Sequence, residues 1–137
     1  MKGLRRKSFI VVGIALPIVL VLPTVLLSSP MMDYYQRRID RHPESESSRW
    51  LQMTSADWCA RTWRPEMAAT GYRRFYERYP GDIRRAHALL RYAQSLEEAG
   101  RNADARDIYA KYVTEYPDLE GAQEARIGIN RIEKCRP

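Results

Sequence analysis

Two stretches of one pattern, Tyr72-Arg-Arg-Phe-Tyr-Glu-Arg-Tyr-Pro80 and Tyr109-Ala-Lys-Tyr-Val-Thr-Glu-Tyr-Pro117, decide the fold. Both read Tyr-x-x-aromatic-x-x-x-Tyr-Pro, and 37 residues separate the two prolines. A period of this size is typical of arrays of helix pairs, in which each pair buries its apolar face only against its neighbours. The sequence therefore predicts an all-α domain built from repeated helical hairpins.

The second copy extends into a complete helix pair. Its first helix is predicted from Ile83 to Ala99, with Asp82 as the N-cap and Gly100 as the residue that ends it. Its second helix stops before Pro117, because proline has no N–H to continue the hydrogen-bond ladder. Apolar residues recur at three- and four-residue steps and predict one buried stripe on each helix. The stripes are Ile83, Ala86, Leu89, Leu90, Ala93 and Leu96, followed by Ala105, Ile108, Tyr109, Tyr112, Val113 and Tyr116.

The first copy and the last helix are less complete. Ser55 is expected to cap a helix that contains Trp58, Cys59 and Trp63, and Pro65 suits the first position of the helix after it. The stripe of that second helix is Met67, Ala68, Tyr72, Phe75, Tyr76 and Tyr79, and Gly71 lets a neighbouring helix approach closely. Asp118 is expected to cap a closing helix with Ala122, Ala125, Ile129 and Ile132 on one face.

The second unit resembles a tetratricopeptide repeat. The resemblance rests on the run Leu89, Ala93, Leu96, Gly100, Ala105, Tyr109, Tyr112 and Pro117. Tyr112 departs from the small residue usual at its position, and the period of 37 is longer than the typical ~34. The Tyr-Pro ending looks like repeats of bacterial cell-envelope proteins, such as the periplasmic coordinator of the Tol–Pal system and lipoproteins of outer-membrane barrel assembly. The resemblance implies a short solenoid of about two repeats plus a closing helix.

The N-terminus is expected to be either a cleavable signal peptide or an uncleaved membrane anchor, and the length of its apolar stretch favours the anchor. Residues 9–27 contain Thr24 as the only polar side chain, and nineteen helical residues span roughly the ~30 Å of a bilayer core. Four basic residues precede this stretch, whereas the charges after it are mixed, so the N-terminus is expected in the cytoplasm. We predict a cytoplasmic head at 1–8, a transmembrane helix at 9–29, a periplasmic linker at 30–54 and the helical domain at 55–137. The chain would then be a single-pass protein of a bacterial inner membrane.

The net charge argues against nucleic-acid binding, and the residue motifs argue against catalysis. The formal net charge of +6 falls to +2 once the four basic residues of the head are set aside, which is too little to hold a phosphate backbone. His42 and His87 share no metal-ligand spacing with each other or with a cysteine. No glycine-rich phosphate loop or nucleophile–base signature occurs. We therefore expect a non-enzymatic protein with no cofactor, no metal and no small-molecule substrate.

The two cysteines allow two interpretations. An oxidising periplasm would permit a Cys59–Cys135 disulfide that ties the first helix to the last. Stacked repeats, however, hold these helices further apart than the ~7 Å limit on the Cα separation unless the array curls closed. In the other interpretation Cys59 is a small core residue, and Cys135 is either free or paired with another chain.

Two functions follow from the resemblance. The first is a scaffold or adaptor that binds protein partners of the inner membrane or periplasm in a concave groove. The groove is expected to be lined by Arg84, Arg85, His87, Arg91 and Tyr92. Trp50, Trp58 and Trp63 form either a second recognition patch or the cap of the open end of the array. The alternative is a permanent small subunit of an inner-membrane complex, for example respiratory, photosynthetic, secretory or cytochrome-maturing.

Overall fold

The computed structural model describes residues 29–134, where helices joined by short turns make up the chain. Six α-helices and no strand occur there. The chain divides into two compact units, residues 1–41 and residues 42–137. The described part of the first unit is α1, Ser29–Arg41. Residues 9–28 of the predicted span lie outside the described residues, and none of the described helices is long and apolar enough to cross a bilayer.

The second unit begins with the hairpin of α2, Glu46–Arg61, and α3, Pro65–Arg78. Ser45 caps α2, because its Oγ accepts a hydrogen bond of 3.1 Å from the Ser48 amide. The prediction that Ser55 caps this helix is wrong. Ser55 lies inside α2 and donates its hydroxyl to the Gln52 carbonyl at 2.9 Å, a bond that serine makes readily within helices.

The predicted start and most of the predicted buried stripe of α3 are confirmed, whereas Met67 of that stripe is only half-buried. Pro65 takes its first position, and the buried face carries Ala68, Tyr72, Phe75 and Tyr76. A Cβ on Gly71 would lie only 2.8 Å from the Cβ of Ala56, so the absence of a side chain lets α2 and α3 approach closely.

The next hairpin is formed by α4, Arg85–Glu98, and α5, Asn102–Glu115. Gly100 ends α4 with a φ of 76°, and the Arg101 amide bonds back to the Leu96 carbonyl at 2.9 Å, as in a Schellman motif. The predicted start is wrong: Asp82 accepts from the Arg84 amide at 2.9 Å and closes a turn ahead of the helix. Ile83 therefore lies outside α4, and it is exposed instead of joining the buried stripe.

The array closes with α6, Gly121–Lys134, which packs on α5 and also touches α4. Asp118 lies in the turn before this helix and does not cap it. Ala122, Ala125 and Gly128 form the buried face, whereas the opposite face carries polar residues. A helix with one polar face closes a repeat array by covering its last apolar surface. This role agrees with the expected closing helix.

Each hairpin is held by a hydrogen bond from a tyrosine to a carboxylate, and an arginine of the following helix approaches this pair. Tyr72 of α3 donates to Asp57 of α2 at 2.6 Å, and Tyr109 of α5 donates to Glu97 of α4 at 2.9 Å. Burial, reinforced by these carboxylates, raises the pKa of both tyrosines. An arginine of the following helix completes each cluster. Arg91 lies 5.8 Å from the centre of the Tyr72 ring, and Arg131 contacts Glu97 at 2.6 Å.

Candidate functional site

The structure does not bring the predicted arginines together. Arg84 lies in the turn before α4, where its guanidinium pairs with Asp82 at 2.9 Å and with Glu46 of α2 at 3.2 Å. These contacts tie the start of α2 to the loop between α3 and α4. Arg84 is therefore held by ion pairs within the fold.

Arg85 points to a different side of α4. Its guanidinium lies 4.1 Å from the centre of the Tyr76 ring and donates to the Tyr116 hydroxyl at 2.8 Å. Tyr76 in turn donates to Glu115 at 2.7 Å, and Lys111 lies over the same ring. Arg85 thus belongs to a junction of α3, α4 and α5.

Arg91 and Tyr92 also lie apart from a common groove. Arg91 donates to the Gln94 side chain at 2.8 Å and lies over Tyr72, and Tyr92 is half-buried on the side of α4 that Arg85 occupies. Of the five predicted residues only His87 is exposed and lines a groove. The five residues therefore do not line one common groove, because α4 contacts α3, α5 and α6 and its polar side chains lie along different edges. Their role in binding a partner stays a prediction.

A groove of another composition runs between α4 and α6, with a volume of about 580 Å³. Its floor is formed by the buried side chains of Leu90 and Tyr112. Three exposed aliphatic residues stand at its edges. They are Ile83, Leu119 and Ile127, with 96%, 49% and 53% of their surfaces exposed. Aliphatic side chains gathered around a groove are typical of a binding surface, whereas a single one would be ordinary.

The groove also has an acidic edge. Glu120 and Glu124 line it at the start of α6, and Glu124 accepts a hydrogen bond of 2.7 Å from Gln94. No lysine or arginine is among the residues that line it. The sequence contained one signal for this site, Ile127, which lies off the buried face of α6. Ile83 was missed because the helical period placed it on the stripe of α4.

A second, polar pocket of about 500 Å³ lies at the other end of α4, between Arg91, Glu97 and Arg131. Two hydrogen bonds of 2.6 and 2.8 Å from Arg131, followed by the Tyr109 hydroxyl, lower the pKa of Glu97. This carboxylate therefore stays ionised and paired, which suits a structural role better than proton transfer. Among residues 29–134, no group of three potential ligands could hold a metal ion.

The three tryptophans are exposed on or just after α2. Trp50 and Trp58 lie on its outer face, and Trp63 follows its end with 94% of its surface exposed and a φ of 56°. Their exposure is compatible with a recognition patch and with a cap over the open end of the array, so both interpretations stay predictions. No contact among the three is seen in the described residues.

Cys59 is a fully buried cysteine of α2, and burial raises the pKa of its thiol. Cys135 lies outside the described residues, so the disulfide stays a prediction. The position of Cys59 agrees with a small core residue.

Comparison with known proteins identifies one helix pair. The tetratricopeptide repeat family matches residues 87–119, which run from His87 in α4 through α5 to Leu119 at the edge of the groove. The resemblance seen in the sequence is thereby confirmed for this hairpin. No curated protein matches the chain.

Proposed function

We propose that this chain is an adaptor that binds another protein, anchored in a bacterial inner membrane with its helical array in the periplasm. The observation that carries the proposal is the groove between α4 and α6, on a hairpin that matches the tetratricopeptide repeat family. Repeats of this kind act through the surfaces that stacked helices present. Protein binding is therefore the function that the groove supports best.

The side chains that line the groove favour protein binding over catalysis. Its exposed aliphatic side chains, Ile83, Leu119 and Ile127, would gain from removal from water when a partner covers them. The carboxylate of Glu97, in the polar pocket, is already paired with Arg131. An adaptor needs the first feature and has no use for a free acid or base.

The proposed location rests on sequence. The apolar stretch of residues 9–27 has the length of a transmembrane helix, and Lys2, Arg5, Arg6 and Lys7 precede it. Its flanking charges favour an N-terminus in the cytoplasm. The Tyr-Pro endings at Pro80 and Pro117 resemble repeats of cell-envelope proteins, which supports a periplasmic array in the same orientation.

Purification of the tagged full-length protein from its native membrane in mild detergent tests the proposal. We expect a soluble partner that is captured by the wild-type protein and lost with Leu119→Asp, since Leu119 is exposed at the groove. Glu133→Arg, on the far side of α6, is the control and should retain the partner. A fixed set of integral-membrane proteins, retained by both variants, would replace the adaptor with a permanent complex subunit.

A further inference from the structure

We propose that the groove between α4 and α6 binds a segment of a partner protein that carries aliphatic anchors flanked by lysine or arginine. This inference rests on the proposed adaptor function and names the chemistry of its partner. The site comprises Ile83, Leu119, Ile127, Glu120 and Glu124.

The aliphatic part of the inference comes from three separate segments of the chain. Ile83 lies in the turn before α4, Leu119 in the turn before α6, and Ile127 on α6 itself. All three edge the groove whose floor is Leu90 and Tyr112. The fold gains little from Ile83, because nearly all of its surface is exposed. A partner segment with two aliphatic side chains would cover these edges and reach the apolar floor.

The charge of the partner follows from the groove's acidic edge. Glu120 and Glu124 line it without any lysine or arginine, whereas the chain outside its basic head carries a formal charge of +2. The groove is therefore locally acidic in a protein whose remaining charges nearly balance. Complementary charge steers a basic segment to such a site and repels an acidic one.

A hydrogen bond also connects the acidic edge of the groove to α4, a helix of the hairpin that matches the tetratricopeptide repeat family. Gln94 of α4 donates to Glu124 of α6 at 2.7 Å, so this carboxylate is positioned by both helices that form the groove. A cation of the partner can share Glu124 with Gln94, because a carboxylate accepts several hydrogen bonds. Glu120, at the turn, is exposed and offers a second acceptor.

A display library of random peptides, selected on the full-length protein in detergent, tests the inference. Peptides of roughly twelve residues are long enough to present several anchors. We expect enrichment of sequences with at least two of Leu, Ile, Val or Met and at least two of Lys or Arg. The best of them is then synthesised, together with a version in which glutamate replaces each basic residue.

Affinities are measured by fluorescence polarisation at low and high salt. Ile83→Asp, and the double variant Glu120→Arg with Glu124→Arg, should each weaken binding about tenfold or more, as expected for central anchors. The glutamate version of the peptide should not bind the wild-type protein. The double variant should bind the glutamate version more tightly than the basic peptide. Glu133→Arg, on the other side of α6, should bind the basic peptide as the wild type does.

Each failure has a distinct meaning. Enriched peptides that lack basic residues, or that bind the groove variants as tightly as the wild type, would overturn the inference and leave the adaptor proposal standing. A dimer that Glu120→Arg dissociates would show that a second copy occupies the groove, which also overturns it. If no peptide is enriched and no protein co-purifies, both the inference and the proposed function fail. Circular dichroism verifies that every variant is folded.

Discussion

Trp63 and Gly100, 37 residues apart, have the same left-handed backbone conformation at the ends of equivalent helices. Their φ angles are 56° and 76°. In each case the following amide bonds back across the turn, Arg64 to the Cys59 carbonyl at 3.0 Å and Arg101 to the Leu96 carbonyl at 2.9 Å. The repeat thus preserves the helix ending and replaces glycine, the residue suited to it, with an exposed tryptophan.

The first prediction places glycine at Trp63 and, separately, a side chain at Gly100. Trp63→Gly should raise the free energy of unfolding by up to about 1 kcal/mol, because a side chain in this conformation costs about 1–2 kcal/mol and glycine's extra freedom in the unfolded chain offsets part of the gain. Gly100→Ala should lower it by about 1 kcal/mol, since its Cβ would meet nothing within 4 Å and only the backbone conformation opposes it. Urea unfolding measures both. A destabilised Trp63→Gly would show that the exposed ring contributes to the fold.

The second prediction concerns Gly128, which packs against Tyr109. A Cβ at Gly128 would lie 2.6 Å from the ring of Tyr109, and that ring is buried with its hydroxyl held by Glu97. Gly128→Ala should therefore destabilise the protein, because overpacking costs about 1–3 kcal/mol and exceeds the ~1 kcal/mol that alanine adds to helix propensity. Gly81→Ala is the control, because nothing lies near its Cβ. Thermal melts in which both variants are equally stable would contradict this packing.

The third prediction compares the contributions of Arg85 and His87 to stability. Arg85→Ala should lower the free energy of unfolding by about 1–2 kcal/mol, because it removes the contact with the Tyr76 ring and the hydrogen bond to Tyr116. His87→Ala should change stability by less than about 0.5 kcal/mol, as is usual for an exposed side chain. Urea titrations of both variants test the prediction. Equal stabilities would show that the junction of α3, α4 and α5 does not depend on Arg85.

The fourth prediction is a pH dependence caused by Asp82. Hydrogen bonds from Arg84 to its nearly buried carboxylate lower the pKa of Asp82 to about 2. A lowered pKa in the folded state stabilises the protein above the unfolded value near 4, and this stabilisation is lost as the pH falls toward 2. Its size is about 2 kcal/mol, at ~1.4 kcal/mol for each unit of pKa.

The difference in unfolding free energy between wild type and Asp82→Asn isolates this effect. It should be constant from neutral pH down to about 5 and shrink between pH 4 and pH 2. Other carboxylates, including Glu97, titrate in both proteins and cancel. A difference that is independent of pH would mean that the Arg84–Asp82 pair does not couple to folding.

The fifth prediction concerns the thiol of Cys59. In a Cys135→Ser variant, a maleimide reagent should label the native protein very slowly and the unfolded protein completely, because Cys59 is fully buried and its pKa is raised. Mass spectrometry at successive times measures the label. Rapid labelling of the native variant would contradict the close packing of α2 against α3.

The sequence was sufficient to predict the helical array, because its strongest features are local. The repeated Tyr-Pro endings at Pro80 and Pro117, the turn at Gly100 and the period of the apolar residues each depend on neighbours within one hairpin. The confirmed contacts are of this kind. They include Pro65 at the start of α3 and the close approach at Gly71.

The candidate site was harder to predict, because it depends on contacts between hairpins. Helical periodicity separates a buried face from an exposed one, but α4 has three neighbours and uses Arg85 and Arg91 at its edges. The turn formed by Asp82 shifted the start of α4 and moved Ile83 from the expected stripe to the groove. The residue at which a helix begins depends on which side chains accept hydrogen bonds from its first amides. The spacing of apolar residues carries no information about these hydrogen bonds.

The nearest-neighbour packing of the array has a consequence for how the chain acquires its structure. Among the described helices of the second unit, each packs against the next one along the chain, and α4 with α6 is the one substantial contact that skips a helix. Short separations between contacting residues favour rapid folding, because little loop entropy must be lost before a contact forms. Each hairpin can therefore assemble as soon as its own residues are available, in the order in which the chain emerges. The groove between α4 and α6 is completed last, when the final helix docks.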